Sequence, residues 1–143
     1  MIISGFPGIG KSYFAENSEL LVKDSDSSKF SWKEKGVRDP DFPNNYIEHI
    51  KANVCLYDVI LISSHHEVRQ ALQQNMMEYV LIYPHRSCKQ EYIDRYSKRG
   101  SPESFLKLLD EQWDTFIDQM FSDKTSRKYI LTSGRFLSDI ITL

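Results

Sequence analysis

Short apolar runs alternate with amphipathic segments along this chain. The apolar runs have the length and β-branched content of strands, and they fall at 1–4, 20–23, 58–63, 79–83 and 128–132. The segments between them predict helices at 11–17, 43–56, 64–74, 87–99 and 101–121, with a short closing helix at 136–141. Strands that alternate with helices form parallel sheets through right-handed crossovers, so the pattern predicts an α/β fold with a five-stranded parallel sheet in three layers.

Two segments stand out from this alternation. Residues 58–63 are almost continuously apolar, which is typical of a strand buried on both faces of a parallel sheet. Residues 27–42 are polar and interrupted by Gly36 and Pro40, so we expect irregular structure there. Asp41 is expected to cap the helix that follows.

Gly5 to Ser12 read Gly-Phe-Pro-Gly-Ile-Gly-Lys-Ser and match the pattern G-x-x-x-x-G-K-[ST] in full, between a predicted strand and a predicted helix. Glycines let backbone N–H groups turn onto phosphate oxygens, Lys11 is expected to reach the β- and γ-phosphates, and Ser12 is expected to bind Mg²⁺. The expected ATP contacts are Gly5, Pro7, Gly8, Ile9, Gly10, Lys11, Ser12 and Tyr13. The alternative is a glycine-rich turn with an incidental Lys-Ser pair.

Asp24-Ser25-Asp26 follows the second predicted strand. Because the carboxyl ends of parallel strands share one edge of a sheet, both carboxylates should face the glycine loop. One could hold Mg²⁺ through water and the other could accept the proton of an attacking hydroxyl. A solvated turn is the alternative, since Asp and Ser favour turns.

This combination resembles the shikimate kinase and gluconate kinase branch of the nucleoside-monophosphate-kinase-like P-loop proteins, and its order is similar to that of polynucleotide kinase domains. The resemblance implies that Asp24 is the Mg²⁺-associated carboxylate and Asp26 the base. The whole chain also resembles small P-loop kinases of bacteriophages and prophages, through the stretches 41–50, 83–84, 91–96, 98–100 and 108–113. These resemblances imply a P-loop NTPase fold and phosphoryl transfer, and give a reaction class more than a substrate.

Two features depart from other P-loop classes. The strand at 58–63 has no carboxylate at its end, because Asp58 lies at its start, so an ordinary Walker B aspartate is missing. No Asn-Lys-x-Asp motif is present, which disfavours a GTPase switch. Both departures favour a kinase over a motor or a switch.

Basic residues cluster where nucleotide kinases place a lid, namely Arg86, Lys89, Arg95, Lys98 and Arg99. Arg95 and Arg99 share a helix face and are expected to neutralise charge on the transferring phosphoryl group. Internal pairing, such as Glu91 with Arg95, is the alternative, and it is favoured for Lys89 and Lys98. Residues 84–100 are therefore a lid candidate.

Residues 27–42 are expected to form the acceptor side of the site. Phe30 and Trp32 could stack on a base and Arg38 could grip a phosphate or carboxylate, although a small satellite core under the loop is favoured for the two aromatic residues. The 65–67 stretch, His-His-Glu, predicts a capping or surface role, because adjacent histidines point in different directions on a helix. Residues 133–135 follow the last strand, where related kinases contact adenine.

The bulk composition limits the function classes. The chain has 143 residues, 41% hydrophobic and 27% charged, and a net charge of −2, so we expect a single domain (1–143) with no broad nucleic-acid-binding surface. No apolar run approaches the roughly 20 residues of a membrane helix, and two cysteines cannot form a disulfide framework, which favours a cytoplasmic location without membrane contact.

These observations together predict an ATP- and Mg²⁺-dependent kinase. Lys11, Asp26, Arg95 and Arg99 are the expected catalytic residues, and Ser12 and Asp24 the expected Mg²⁺ ligands. The acceptor is expected to be a nucleoside, a nucleotide or a hydroxyl on modified DNA. A kinase of another small metabolite and a non-catalytic nucleotide-binding module are the alternatives.

Overall fold

The structure is a computed structural model that describes residues 1–125 and 127–141. In chain order the elements are β1 (Ile2–Gly5), α1 (Lys11–Asn17), β2 (Val22–Asp24), α2 (Ser28–Ser31), β3 (Trp32–Glu34), β4 (Val37–Arg38), α3 (Asn44–Asn53), β5 (Val59–Ser63), α4 (His66–Gln74), β6 (Val80–Pro84), α5 (Lys89–Lys98), α6 (Glu103–Phe121) and β7 (Arg127–Leu131). Short 3₁₀ turns lie at Arg86–Cys88 and Leu137–Asp139.

The main sheet has five parallel strands in the order β2-β5-β1-β6-β7. The central strands β1, β5 and β6 are almost wholly buried because helices flank the sheet. The predicted α/β class and five-stranded parallel sheet are therefore confirmed, and the arrangement is compatible with three layers. Each predicted strand overlaps an observed one, with ends that differ by at most two residues.

The prediction of irregular structure over residues 27–42 is wrong. The short helix α2 is followed by a hairpin in which Trp32 pairs with Arg38 and Glu34 pairs with Val37. Gly36 supplies the positive φ of 80° in the turn, a conformation that other residues adopt at a cost. The expected cap is also wrong: Pro43, not Asp41, occupies the N-cap position of α3.

The predicted closing helix at 136–141 is a single 3₁₀ turn, and the predicted helix at 87–99 is divided into the turn Arg86–Cys88 and α5. No helix in the described part of the chain is long and apolar enough to cross a membrane. The two cysteines are not bridged: Cys55 is exposed and Cys88 is buried.

A buried ion pair joins α4 to the segment after α6. Arg69 donates to Asp123 at 2.6 Å, and their side chains are 3% and 0% exposed. The hydroxyl of Tyr79 and the amide of Thr125 also donate to Asp123, both at 2.7 Å. Burial alone would raise the pKa of Asp123, but these hydrogen bonds and the Arg69 charge together lower it.

We expect Asp123→Ala to lower the free energy of unfolding by about 3–5 kcal/mol, because it leaves the Arg69 charge buried and unpaired. Since the folded-state pKa of Asp123 is lowered, its stabilisation is present above the unfolded-state pKa and is lost as the pH falls through the folded-state value. Denaturant unfolding from pH 7 to 2 should therefore show a weaker acid dependence in the variant.

The control is Asp110→Ala, which removes an exposed pair with Lys89 (3.1 Å) on α6 and should cost less than about 1 kcal/mol. Equal losses in the two variants would contradict a structural role for the buried pair.

Candidate functional site

The predicted site residues lie at the carboxyl edge of the main sheet. Gly5, at the end of β1, is level with Ser63 at the end of β5, and Asp24 ends the neighbouring strand β2. From β1 the chain passes to β2 on one side, whereas from β5 it passes to β6 on the other. Such a change of direction opens a crevice between adjacent strands, which is where ligands bind in open α/β sheets.

A cavity of about 630 Å³, called here the loop cavity, occupies this crevice. It brings together most of the predicted site residues, which are Pro7, Gly8, Gly10, Lys11, Ser12, Tyr13, Asp24, Asp26, Arg95 and Arg99. Gly5 and Ile9 do not line it. The Ile9 side chain is fully buried, and its amide turns back to the carbonyl of Phe6 at 3.4 Å.

The glycine loop, residues 5–12, presents backbone donors to the cavity. Gly8 and Gly10 have φ of 89° and 91°, a region that L side chains disfavour. Among the described residues, the amides of Gly8 and of Gly10 to Tyr13 donate no hydrogen bond to the protein. Unpaired amides begin every helix, but here the amide of Gly8 joins the four of Gly10 to Tyr13 beside a basic cavity, which suits an anion with several oxygens.

Aromatic residues of α5 and α6 pack against this loop. Phe6 packs edge-on against Tyr92 and Trp113, with ring centroids 5.9 and 5.6 Å apart. The hydroxyl of Tyr96 donates to the carbonyl of Pro7. A Cβ added at Gly8 would lie 3.1 Å from the Tyr96 hydroxyl oxygen, so the backbone favours glycine there and a larger residue would force Tyr96 to shift.

Lys11 is partly buried and donates from Nζ to the carbonyl of Gly5 at 2.8 Å. Burial lowers the pKa of this ammonium group, and the charge of Arg99 lowers it further, while Asp24 and Asp26 oppose the shift. A bound anion would compensate the Lys11 ammonium group for the hydration that it loses through burial. The position is therefore suited to an oxyanion ligand.

The turn at residues 24–26 is held by its central serine. The amide of Ser25 donates to the carbonyl of Leu61, and its carbonyl accepts from the Tyr46 hydroxyl at 2.6 Å. Ser25 is buried, so the flanking carboxylates of Asp24 and Asp26 are exposed at the cavity. Both predicted carboxylates thus lie beside the glycine loop.

The two carboxylates have different partners. Asp24 accepts from the hydroxyl of Ser12 at 3.3 Å, and Asp26 accepts from the amide of Ser28 at 2.9 Å. In the described residues no group of three or more His, Cys, Asp or Glu side chains is arranged to hold a metal ion. The oxygen pair of Ser12 and Asp24 still fits Mg²⁺, which is commonly held by one or two protein ligands together with phosphate and water.

The basic cluster divides into two groups. Arg95, Lys98 and Arg99 line the loop cavity. Arg86 pairs with Asp114 (2.7 Å) and Asp118 on α6, and Lys89 pairs with Asp110 (3.1 Å), outside that cavity. The internal pairing favoured for Lys89 in the sequence is therefore confirmed, whereas Lys98, for which it was also favoured, lines the loop cavity.

Arg95 is held more firmly than its sequence position indicates. Its guanidinium donates to the carbonyl of Gly8 at 2.9 Å and to Glu91 at 2.7 Å. It also lies 4.4 Å from the ring centroid of Tyr92 and 4.2 Å from that of Phe136. In this position it fixes the glycine loop to α5 and adds positive charge to the cavity wall.

Residues 91 and 133–136 link α5 to the segment after β7. Glu91 accepts from the hydroxyl of Ser133 at 2.5 Å and from the amide of Gly134 at 3.1 Å. The Ser133 bond is the main reason that the pKa of Glu91 is lowered. Since Tyr92 and Tyr96 are buried in the core, α5 is packed into the body of the protein; movement of 84–100 as a lid stays a prediction.

A second cavity of about 380 Å³, called here the side cavity, adjoins the loop cavity and shares Pro7 and His65 with it. Its walls come from the hairpin segment, the start of α4 and the face of α6 that carries Phe105, Leu108 and Phe116. Arg38 lines it and pairs with Glu67 at 3.7 Å. Phe30 instead packs against Tyr46 and His49, as the satellite-core interpretation predicts. That interpretation is wrong for Trp32, which is exposed and contacts the guanidinium of Arg38.

The surface position predicted for His65 is confirmed, because the residue is exposed, and it also lies in the wall between the two cavities. It occupies the N-cap position of α4, yet its side chain accepts no capping hydrogen bond. The available signal was its place directly after a buried parallel strand, where site residues collect.

We expect Gly8→Ala to lower the free energy of unfolding by at least about 1–2 kcal/mol because of its left-handed backbone, with a further loss because the added Cβ displaces Tyr96. Gly100→Ala is the control, because Gly100 has a similar φ of 77° but no atom within 4 Å of an added Cβ. Thermal unfolding of both variants tests this. Equal losses of stability in the two variants would show that the close contact with Tyr96 is unimportant.

Comparisons of the chain with protein-family models and with curated proteins found no match.

Proposed function

We propose that this protein is a P-loop phosphotransferase that moves the γ-phosphoryl group of ATP, with Mg²⁺, to a hydroxyl of a nucleoside, a nucleotide or a modified nucleic acid. The main support for this proposal is the composition of the loop cavity. Unpaired backbone amides and the partly desolvated Lys11 lie there beside two exposed carboxylates. Simple anion binding has no need of carboxylates beside the anion. Their presence favours a reaction in which a proton is removed.

Each residue has a distinct role in this reaction. The loop amides and Lys11 hold the phosphates, and Arg99 neutralises charge that develops on the transferring group. Arg95 keeps the loop in place and contributes positive charge. Ser12 and Asp24 would hold Mg²⁺, which when bound neutralises charge on the phosphate oxygens.

Asp26 is the proposed base. The acceptor hydroxyl oxygen forms a bond to the γ-phosphorus while the bond from that phosphorus to the β,γ-bridging oxygen breaks, and ADP leaves with the electron pair. Asp26 takes the hydroxyl proton and releases it to solvent. This step needs no co-reactant beyond ATP and the acceptor.

The side cavity is the proposed acceptor site. Its size is within the range of small-molecule pockets, and its aromatic and aliphatic wall suits a flat ring. Arg38 offers a charged contact at its edge, and the shared wall at Pro7 and His65 brings an acceptor next to the phosphates.

The test is transfer of label from γ-labelled ATP to a panel of nucleosides, nucleotides, and plain and hydroxymethylated DNA. We expect Mg²⁺-dependent transfer of the labelled phosphoryl group to one class of acceptor. Without an acceptor, we expect little release of labelled phosphate from ATP. The affinity for ATP is measured in parallel by calorimetry, as the control for binding. ATP binding without transfer to any member would instead favour a nucleotide-binding module.

A further inference from the structure

His65 joins the two cavities, and nothing in the sequence motif accounts for it. Lys11, Asp24 and Asp26 line the loop cavity alone, and Arg38 and Phe105 line the side cavity alone. His65 lines both. Pro7 also lines both cavities, and of these two residues only His65 has a side chain that can hydrogen-bond to a group at the boundary between them.

The local fold directs this side chain to the cavities. β5 ends at Ser63 and α4 begins at His66, so His65 lies in the short connection at the carboxyl edge of the sheet. Its extended backbone, with φ of −56° and ψ of 136°, makes it the N-cap residue. The His65 side chain makes no capping hydrogen bond to α4, so neither ring nitrogen is occupied by the helix amides.

The charged groups around the ring come from several elements. Lys11 on α1, Asp26 after β2, Arg38 on β4 and Glu67 on α4 all act on it electrostatically. Burial, and then the charge of Lys11, lower the pKa of His65, while Asp26 and Glu67 oppose the shift. This shift favours the neutral ring, which has one nitrogen as a donor and the other as an acceptor.

Resting on the proposed function, we propose that His65 is a catalytic residue that donates a hydrogen bond to the terminal phosphoryl group of bound ATP and directs its other ring nitrogen to the acceptor. A neutral imidazole can contact both partners at once, which aligns the acceptor hydroxyl with the phosphorus. Alignment of this kind is a substantial part of catalysis in phosphoryl transfer.

The first experiment follows the histidine rings by NMR with Mg²⁺ and the nonhydrolysable analogue AMP-PNP, and in parallel with Mg²⁺ and ADP. Loss of a signal in His65→Gln assigns the ring. We expect AMP-PNP to raise the pKa of His65 by about one unit more than ADP does, because the terminal phosphate places negative charge beside it. His66 and His85 serve as internal references and should not distinguish the two nucleotides.

The second experiment compares calorimetric affinities for the same two nucleotides. His65→Ala should weaken AMP-PNP about tenfold relative to wild type and leave ADP nearly unchanged, since a hydrogen bond to a charged group is lost. His85→Gln is the matched control, because the His85 ring lines neither the loop cavity nor the side cavity. Circular dichroism confirms that each variant is folded.

The outcomes separate the two proposals. The role of His65 would be overturned if AMP-PNP binds, the His65 pKa responds equally to AMP-PNP and ADP, and His65→Ala keeps the wild-type affinity for both nucleotides. That result would leave the kinase proposal standing. Failure of wild-type protein to bind either nucleotide would overturn both.

Discussion

Lys11→Met is expected to reduce phosphoryl transfer about 100- to 1,000-fold, as is typical when one positioned charge is removed from a transition-state site. Lys11 lines the loop cavity together with residues of the glycine loop, so its charge would be removed from the proposed phosphate site. Methionine has a similar length and volume but no charge. The loss should therefore appear in both nucleotide affinity and transfer rate.

The same variant should remain as stable as wild type within about 1 kcal/mol, because only one hydrogen bond, to the carbonyl of Gly5, is lost. The folded-state pKa of Lys11 is lowered, so its charged form opposes folding below that pKa. This cost disappears as the pH rises and the ammonium group loses its proton. Removal of the charge offsets the lost hydrogen bond at neutral pH.

Lys107→Met is the control for Lys11→Met, since Lys107 is exposed on α6 and lies 3.9 Å from Glu111. It should keep wild-type affinity, rate and stability. A large loss of stability in Lys11→Met, with the remaining folded protein fully active, would assign Lys11 a structural role and contradict the proposed one.

Asp26→Asn should reduce transfer about 100- to 10,000-fold, the usual contribution of a general base, while ATP affinity stays at the wild-type level. Asparagine keeps an oxygen that can accept from the amide of Ser28, so the start of α2 is preserved. Only the capacity to take a proton is removed. The loss should therefore lie in kcat and not in KM for ATP.

Asp24→Asn is the comparison that separates the two carboxylates. Asp24 accepts from Ser12, so this variant should weaken Mg²⁺-dependent binding and shift the Mg²⁺ concentration needed for half-maximal transfer. If Asp24→Asn instead removed transfer at saturating Mg²⁺ and Asp26→Asn did not, the roles of the two residues would be exchanged.

Local patterns predicted the parts of the fold that local chemistry determines. The apolar run at 58–63 and the glycine motif specify a buried strand and a loop whatever surrounds them, and β5 and α1 follow. The position of the Asp24–Asp26 turn beside the loop follows from parallel strands alone. These features required no knowledge of long-range packing.

The missed features depend on contacts between distant residues. The hairpin of Trp32 and Arg38 has a register irregularity and no regular alternation that a strand pattern would detect. Arg95 could be placed on a helix face, but its bond to the carbonyl of Gly8 links residues 87 positions apart. His65 is the surface residue that the sequence predicts, but its place beside both cavities depends on the packing of the hairpin and α6, which helical spacing does not show.

Calorimetric titration of ATP, ADP and AMP with Mg²⁺, into wild-type protein and Lys11→Met, tests most directly whether the loop cavity binds a triphosphate. We expect one site in wild type, with ATP bound at least about tenfold more tightly than AMP, since each charged phosphate contact is worth about that factor. This preference should disappear in Lys11→Met. Equal affinities for ATP and AMP in wild type, or an unchanged preference in the variant, would contradict the proposed site.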